Sequence, residues 1–155
     1  LLKQFKNLTV SLSINTLNED FRNDMDNTSS IAERLDTLKT LHENGIYTIL
    51  FMSPIFPEIT NYREITETSI SFVDEYWFEN LNLRGNYKSK ILKYIHDKYP
   101  QYADLYKQIY LCGRKEYWDK LAVEIEAYCI EHSIKHTNFF YHERLVADKK
   151  EKQDP

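Results

Sequence analysis

The sequence predicts an α/β fold, namely a partial parallel (β/α) barrel of three β/α units followed by a small helical region. Strand and helix patterns alternate along the first 85 residues with short connections, and such alternation implies parallel strands joined by right-handed crossovers. The second predicted strand is apolar throughout, as is typical of a strand covered on both faces. The chain contains only 3 glycines and 4 prolines, which disfavours a turn-rich all-β fold.

Side-chain periodicity places the first strand and the first helix. Leu8–Asn15 alternates apolar and polar side chains, which predicts a strand with one polar face. The polar and acidic residues 18–27 predict a loop. Ser30 and Glu33 have the spacing of a capping box, which begins a helix, and Gly45 suits the left-handed conformation that ends it.

The remaining elements follow from apolar runs and breaks. Tyr47–Ile55 reads as the apolar second strand, Asn61 caps a short helix that carries Ile65 and Phe72, and Glu75–Leu83 reads as the third strand. The three further predicted helices are Tyr87–Tyr99, Tyr102–Leu111 and Glu116–His132. Residues 134–141 predict either a short strand or an extended return.

Composition sets the organisation of the chain. The 155 residues correspond to one domain of ordinary size. We divide it into a barrel portion, residues 1–85, a helical extension packed on it, residues 86–142, and a flexible tail, residues 143–155. No run of 18 apolar residues and no secretory signal is found, so neither a membrane span nor export is expected. The two cysteines cannot build a disulfide framework, and a cytoplasmic setting is expected.

The polar face of the first strand has two explanations. In a β/α barrel the inward face lines the lumen, so a polar row would line a wet interior that can hold a ligand. Alternatively, Leu8–Asn15 is a half-exposed edge strand, since edge strands often keep one polar face.

Several segments in a fixed order resemble a known family. They are Val10–Leu17 (VSLSINTL), the capped helix with Glu33-Arg34, Gly45-Ile46, Ser53–Pro57 (SPIFP) and Phe78–Arg84 (FENLNLR). Together they resemble the second half of the radical S-adenosylmethionine barrel, in the branch of spore photoproduct lyase and the DNA repair photolyases. The resemblance covers about residues 1–85.

The resemblance implies that S-adenosylmethionine lies across the carboxyl ends of the strands. Hydroxyl and amide groups suit a ribose and an adenine edge. The polar side chains at these ends are Ser13, Asn15, Ser53, Glu79, Asn80 and Asn82, and we take all of them except Glu79 as the cofactor-binding candidates. Each of them is also a residue type that favours turns and strand ends. Arg34 either holds a carboxylate or faces solvent.

The family's cysteine triplet, C-x3-C-x2-C, is absent. Cys112 and Cys129 are 17 residues apart and cannot replace it. The resemblance therefore implies that the chain is the C-terminal portion of a longer protein, whose missing N-terminal half of the barrel binds the [4Fe–4S] cluster. The complete protein is then expected to be an enzyme, whereas this chain alone binds no cluster and does not catalyse.

Two other clusters have competing explanations. Cys129, His132 and His136 have the spacing of metal ligands, but the helix is expected to end near Ser133, so no metal site is predicted. Residues 84–120 carry 9 basic and 4 acidic groups, and tyrosines are interleaved with the lysines. Aromatic and basic residues together are typical of a nucleic-acid surface. The tyrosines at 102, 106 and 110 also have the spacing of a buried helix stripe.

The alternative function is thus a non-enzymatic α/β interaction module whose basic helices bind nucleic acid or a protein. For the chain by itself we expect a homodimer, because the first strand would leave an open edge without proline or charge. The competing expectation is that residues 134–141 fold back onto this edge.

Overall fold

The described residues form one parallel sheet and six α-helices. The computed structural model describes residues 4, 5 and 7–140. The strands, in sheet order, are β1 (Thr9–Ser13), β2 (Tyr47–Ile55), β3 (Glu75–Asn80) and β4 (His136–Asn138). The helices are α1 (Glu19–Met25), α2 (Ile31–Glu43), α3 (Tyr62–Ser69), α4 (Gly85–Lys98), α5 (Ala103–Tyr110) and α6 (Glu116–Glu131), with a 3-10 turn at Pro100–Tyr102. The predicted tail, residues 143–155, lies outside the described residues.

The strand β4 tests the expectation that residues 134–141 fold back onto the open edge of the first strand. It pairs parallel with β3, where Tyr76 lies opposite His136. It therefore extends the sheet on the side away from β1, and the expectation that this segment covers the first strand is wrong. Among the described strands β1 has only β2 as a neighbour, which leaves its other edge open.

The prediction of a loop at residues 18–27 is wrong, because these residues contain α1. The Asn18 side chain accepts a hydrogen bond from the Phe21 backbone N–H at 3.0 Å, which caps the helix. Phe21 is 1% exposed and packs edge-on to Phe56, with ring centroids 5.0 Å apart. One buried aromatic ring thus anchors a helix whose other residues are mostly polar.

The capped helices α2 and α3 form as predicted. Ser30 and Glu33 make both hydrogen bonds of the capping box, and Gly45 follows α2 with a φ of +75°. Asn61 caps α3, but this helix ends at Ser69, so Phe72 lies beyond it. The strand β3 ends at Asn80, three residues before the predicted end.

The two faces of the sheet differ. Leu12 and Ile14 point into the main core, as the alternation in the first strand predicts, together with Leu50 of β2 and Phe78 of β3. The side chains that alternate with these core residues lie on the other face. There three half-buried rings pack edge to face, with centroids 5.5–6.1 Å apart: Phe51, Trp77 and Phe139.

A carboxylate ties three strands together on this second face. Glu75 accepts hydrogen bonds from Trp77 Nε1 at 2.8 Å, from Tyr47 Oη at 3.0 Å and from Thr137 Oγ1 at 3.2 Å. Lys135 Nζ lies 3.1 Å from Glu75. Desolvation opposes ionisation of Glu75, but its hydrogen bonds outweigh this effect and hold its pKa below the ordinary value. This network joins β2 and β3 to β4.

Candidate functional site

A small cleft lies where the carboxyl ends of β1 and β2 meet α1, α2 and α4. It has a volume of about 120 Å³, and its walls include three of the predicted candidates, Ser13, Asn15 and Ser53. Asn15 Nδ2 donates a hydrogen bond to the Pro54 carbonyl oxygen at 3.0 Å, and the Ser53 hydroxyl donates to the Glu79 carboxylate. The parallel register brings these residues together from positions some 40 residues apart in the sequence.

The other two candidates are not part of this cleft. Asn80 ends β3 opposite Ile55 and is half-buried, while Asn82 is exposed and accepts a hydrogen bond from Arg84 Nε at 3.3 Å. The strand ends of β1 and β2 therefore supply three of the predicted candidates to the cleft, and Asn80 and Asn82 lie outside it.

Two cleft residues, Arg22 and Met25, come from α1, the helix that the sequence analysis missed, and a third, Asp26, directly follows it. The available signal was Asn18, a preferred cap residue, followed by Phe21 and Met25 at the helical spacing of four. Since α1 carries charged groups into the cleft, its position decides the polarity of the site.

Arg34 holds a carboxylate, and the expectation that it faces solvent is wrong. Its side chain is 12% exposed, and Nη2 lies 3.0 Å from Oδ1 of Asp26. Its Nη1 donates to the Ser13 carbonyl oxygen at 3.0 Å and its Nε to the Ser29 carbonyl oxygen at 3.0 Å. Arg34 therefore fixes the end of β1 relative to the loop that follows α1, and its partner is a carboxylate of this chain.

Asp26 is held ionised in this arrangement. Desolvation raises the pKa of its carboxyl group, but hydrogen bonds from Thr28 and Arg34 outweigh that effect and keep the pKa below the ordinary value. Arg34 and Asp26 thus remain paired at neutral pH.

The depressed pKa of Asp26 predicts a loss of stability in acid. The stabilisation is complete above the unfolded pKa of about 3.9 and is lost as the pH falls through the lower folded pKa. We expect the free energy of unfolding of Asp26→Asn to fall less steeply than that of the wild type below about pH 4, measured by urea denaturation. Asp20→Asn, an exposed carboxylate-to-amide change outside the Asp26–Arg34 pair, is the control and should not reproduce the effect of Asp26→Asn. Equal acid slopes for Asp26→Asn and the wild type would refute this role.

Tyr87 adds a phenol from α4 to the cleft. Burial raises the pKa of this phenol above its ordinary value, although the residue is half-exposed. The hydroxyl is therefore protonated at neutral pH and can donate a hydrogen bond into the cleft. The cleft as a whole presents hydroxyl, amide and phenol groups beside a paired arginine and aspartate, which suits a hydroxylated neutral group.

The tyrosines of the basic segment pack into the protein, as the buried-stripe explanation predicts. Tyr106 is fully buried and donates to the Pro57 carbonyl oxygen at 3.1 Å, and Tyr110 donates to the Leu81 carbonyl oxygen at 3.0 Å. The lysines around them remain exposed or half-exposed. These tyrosines therefore contribute to the core and do not form a surface on which bases could stack.

The histidine and cysteine residues are separated by the end of α6. Cys129 is buried, and burial raises the pKa of its thiol to about 11, whereas Cys112 is exposed. His136 Nε2 lies 2.7 Å from Glu126 beyond the helix end. Within residues 4, 5 and 7–140 no group of three or more histidine, cysteine or acidic side chains is arranged to hold a metal ion. In the same part of the chain no helix is long and apolar enough to cross a membrane.

Comparison with known proteins finds one similar protein without a described function. An uncharacterized protein of Methanocaldococcus jannaschii is 36% identical to the chain over 102 residues. The match covers 65% of the chain and 39% of that protein. No family model matches the chain, and no solved structure matches it.

Proposed function

We propose that this chain is the C-terminal portion of a radical S-adenosylmethionine protein and that its cleft binds part of S-adenosylmethionine. The observation that carries the proposal is the meeting of Ser13, Asn15 and Ser53 in one cleft at the carboxyl edge of a parallel sheet. Ligands of β/α barrels bind at this edge. The match to only 39% of a longer relative supports the view that further chain completes the site.

The size of the cleft fits one part of the cofactor. Pockets that enclose a whole ligand of this size have volumes of about 300–1,000 Å³, and the cleft has about 120 Å³. A ribose matches both the volume and the neutral polar groups, so we assign the ribose hydroxyls to Ser13, Asn15 and Ser53. The Ser53 oxygen would accept a hydrogen bond there, because its own proton is donated to Glu79. The remaining walls are expected from the N-terminal half of the barrel.

The open face of the sheet supports the barrel architecture. In a closed barrel the sheet face that carries Phe51, Trp77 and Phe139 would turn inward. Both open edges of the sheet would then be paired with further strands. The half-buried rings and the lone edge of β1 are consistent with a sheet that continues in another part of a longer chain.

The residues present do not fit the [4Fe–4S] cluster. Such a cluster is held by several cysteine thiolates, and this chain offers one buried cysteine of raised pKa and one exposed cysteine. The cluster ligands therefore belong to the upstream part of the protein. When bound beside such a cluster, S-adenosylmethionine supplies radical chemistry. This chain's contribution is to hold and orient the cofactor.

The test is binding of S-adenosylmethionine by the longer protein that contains this chain. We expect Asn15→Ala and Ser53→Ala each to raise the dissociation constant about tenfold, the effect of one lost hydrogen bond of about 1.4 kcal/mol. The matched control is Asn82→Ala, which removes the same amide from an exposed position outside the cleft. Isothermal titration calorimetry gives the dissociation constants of the three variants and of the wild type. Equal constants for Asn15→Ala, Ser53→Ala and the wild type would reject the site.

A further inference from the structure

An apolar groove of about 600 Å³ lies between the outer side of α6 and the chain that follows β4. Val123 and Ile130 of this groove are 70% and 67% exposed, and with Ala127 they form a stripe along one side of the helix. Bulky aliphatic side chains are seldom left so exposed in a row of this kind. The stripe therefore indicates an apolar surface that another segment covers.

We propose that the groove is covered by residues 141–147 of this chain (YHERLVA), with Leu145 and Val146 as the apolar contacts. This inference does not depend on the proposed function. Leu145 and Val146 are followed by Ala147, and residues 148–155 (DKKEKQDP) are all polar, charged or proline. The apolar part of the segment is thus confined to the residues that follow Phe140 most closely in the sequence.

The described chain ends at the groove, and the length of the segment that follows is enough to span it. The described residues end at Phe140, which lines the groove, is buried, and packs edge-on to Trp118 with centroids 5.3 Å apart. Leu145 is five residues further along, and five residues span at most about 17 Å. The stripe from Val123 to Ile130 extends about 10 Å along the helix. Residues 141–147, which follow Phe140, are therefore long enough to cover the stripe.

Charge favours the same arrangement. The helix α6 carries five acidic residues and one lysine, and Glu126 lines the groove with its side chain 57% exposed. Arg144 directly precedes Leu145. A segment that places Leu145 in the groove brings a guanidinium group to this acidic helix, where opposite charges attract.

Limited digestion with trypsin tests the proposal, because the C-terminal segment carries its own reference sites. Trypsin cleaves after Arg144 and after Lys149, Lys150 and Lys152. A synthetic peptide of residues 134–155 gives the intrinsic rate at each bond. In the full chain we expect cleavage after Arg144 to be at least about tenfold slower than in the peptide, since proteolysis follows the population of the undocked form. Cleavage after Lys150 should match the peptide.

Substitutions in the groove complete the test. Val123→Asp and Ile130→Asp should bring cleavage after Arg144 to within about threefold of the peptide rate. The matched control is Ile70→Asp, the same change at another exposed isoleucine outside the groove, which should leave the protection intact. Circular dichroism confirms that the variants are folded.

Three results would overturn the proposal. The first is cleavage after Arg144 at the peptide rate in the wild-type chain. The second is protection that Val123→Asp and Ile130→Asp do not change, which would place the segment elsewhere. The third is protection that disappears on dilution, which would assign the groove to a second copy of the chain.

Discussion

Phe21→Ala should lower the free energy of unfolding by about 3–5 kcal/mol, the range for a large-to-small change at a fully buried aromatic ring. The ring is 1% exposed and contacts Phe56, Tyr94 and Tyr99, with centroid distances of 5.0–6.1 Å. Its removal leaves a cavity between α1 and the core. Urea denaturation followed by circular dichroism measures the loss.

Asp20→Ala is the control for this change. It alters an exposed residue directly before Phe21 on the same helix, and it should cost less than about 1 kcal/mol. A loss below about 1 kcal/mol for Phe21→Ala would show that α1 is not anchored as described. The charged cleft residues Arg22 and Asp26 would then lack a fixed position.

The second large effect is self-association of the chain through β1. Ile14 N–H donates to the Phe51 carbonyl oxygen at 3.0 Å, and alternate peptide groups point the other way, so the N–H of Ser11 faces the open edge. Arg34 covers only the Ser13 carbonyl group there. We expect light scattering at rising concentration to show a particle of twice the chain mass of 18.6 kDa.

A lysine substitution on the edge strand distinguishes pairing through the β1 edge from nonspecific association. Ser11→Lys should raise the dimer dissociation constant at least about tenfold, because a charge on an edge strand opposes pairing. Thr68→Lys makes a similar change at an exposed position of α3 and should leave the constant unchanged. A particle that stays monomeric at high concentration, with the β1 amides protected from hydrogen exchange, would exclude the dimer.

Local patterns predicted most of the elements correctly. The alternation in Leu8–Asn15, the capping box at Ser30 and the apolar run Tyr47–Ile55 each depend on neighbouring residues, and the structure contains all three elements. The helix α1 was missed because its polar composition resembles a loop. Its stability depends on one ring, Phe21, whose partners lie far away in the sequence.

The candidate site was predicted only in part, for a similar reason. Ser13, Asn15 and Ser53 could be found because parallel strands align their carboxyl ends at one edge. The position of Tyr87 in the cleft and the burial of Arg34 could not be predicted, because both depend on how helices pack against that edge. The pairing of β4 with β3 also depends on the long path through three helices, which no local pattern determines.

Anaerobic reconstitution of the longer protein with iron and sulfide is a direct test of the proposed function. We expect a C-x3-C-x2-C motif upstream of Leu1 and a product with four iron and four sulfide ions per chain, as in a [4Fe–4S] cluster. We also expect the 155-residue chain, treated in the same way, to stay colourless, because it has two cysteines, 17 residues apart in the sequence, and lacks the triplet. An upstream sequence without the cysteine triplet, or a stoichiometric cluster on the 155-residue chain alone, would contradict the account.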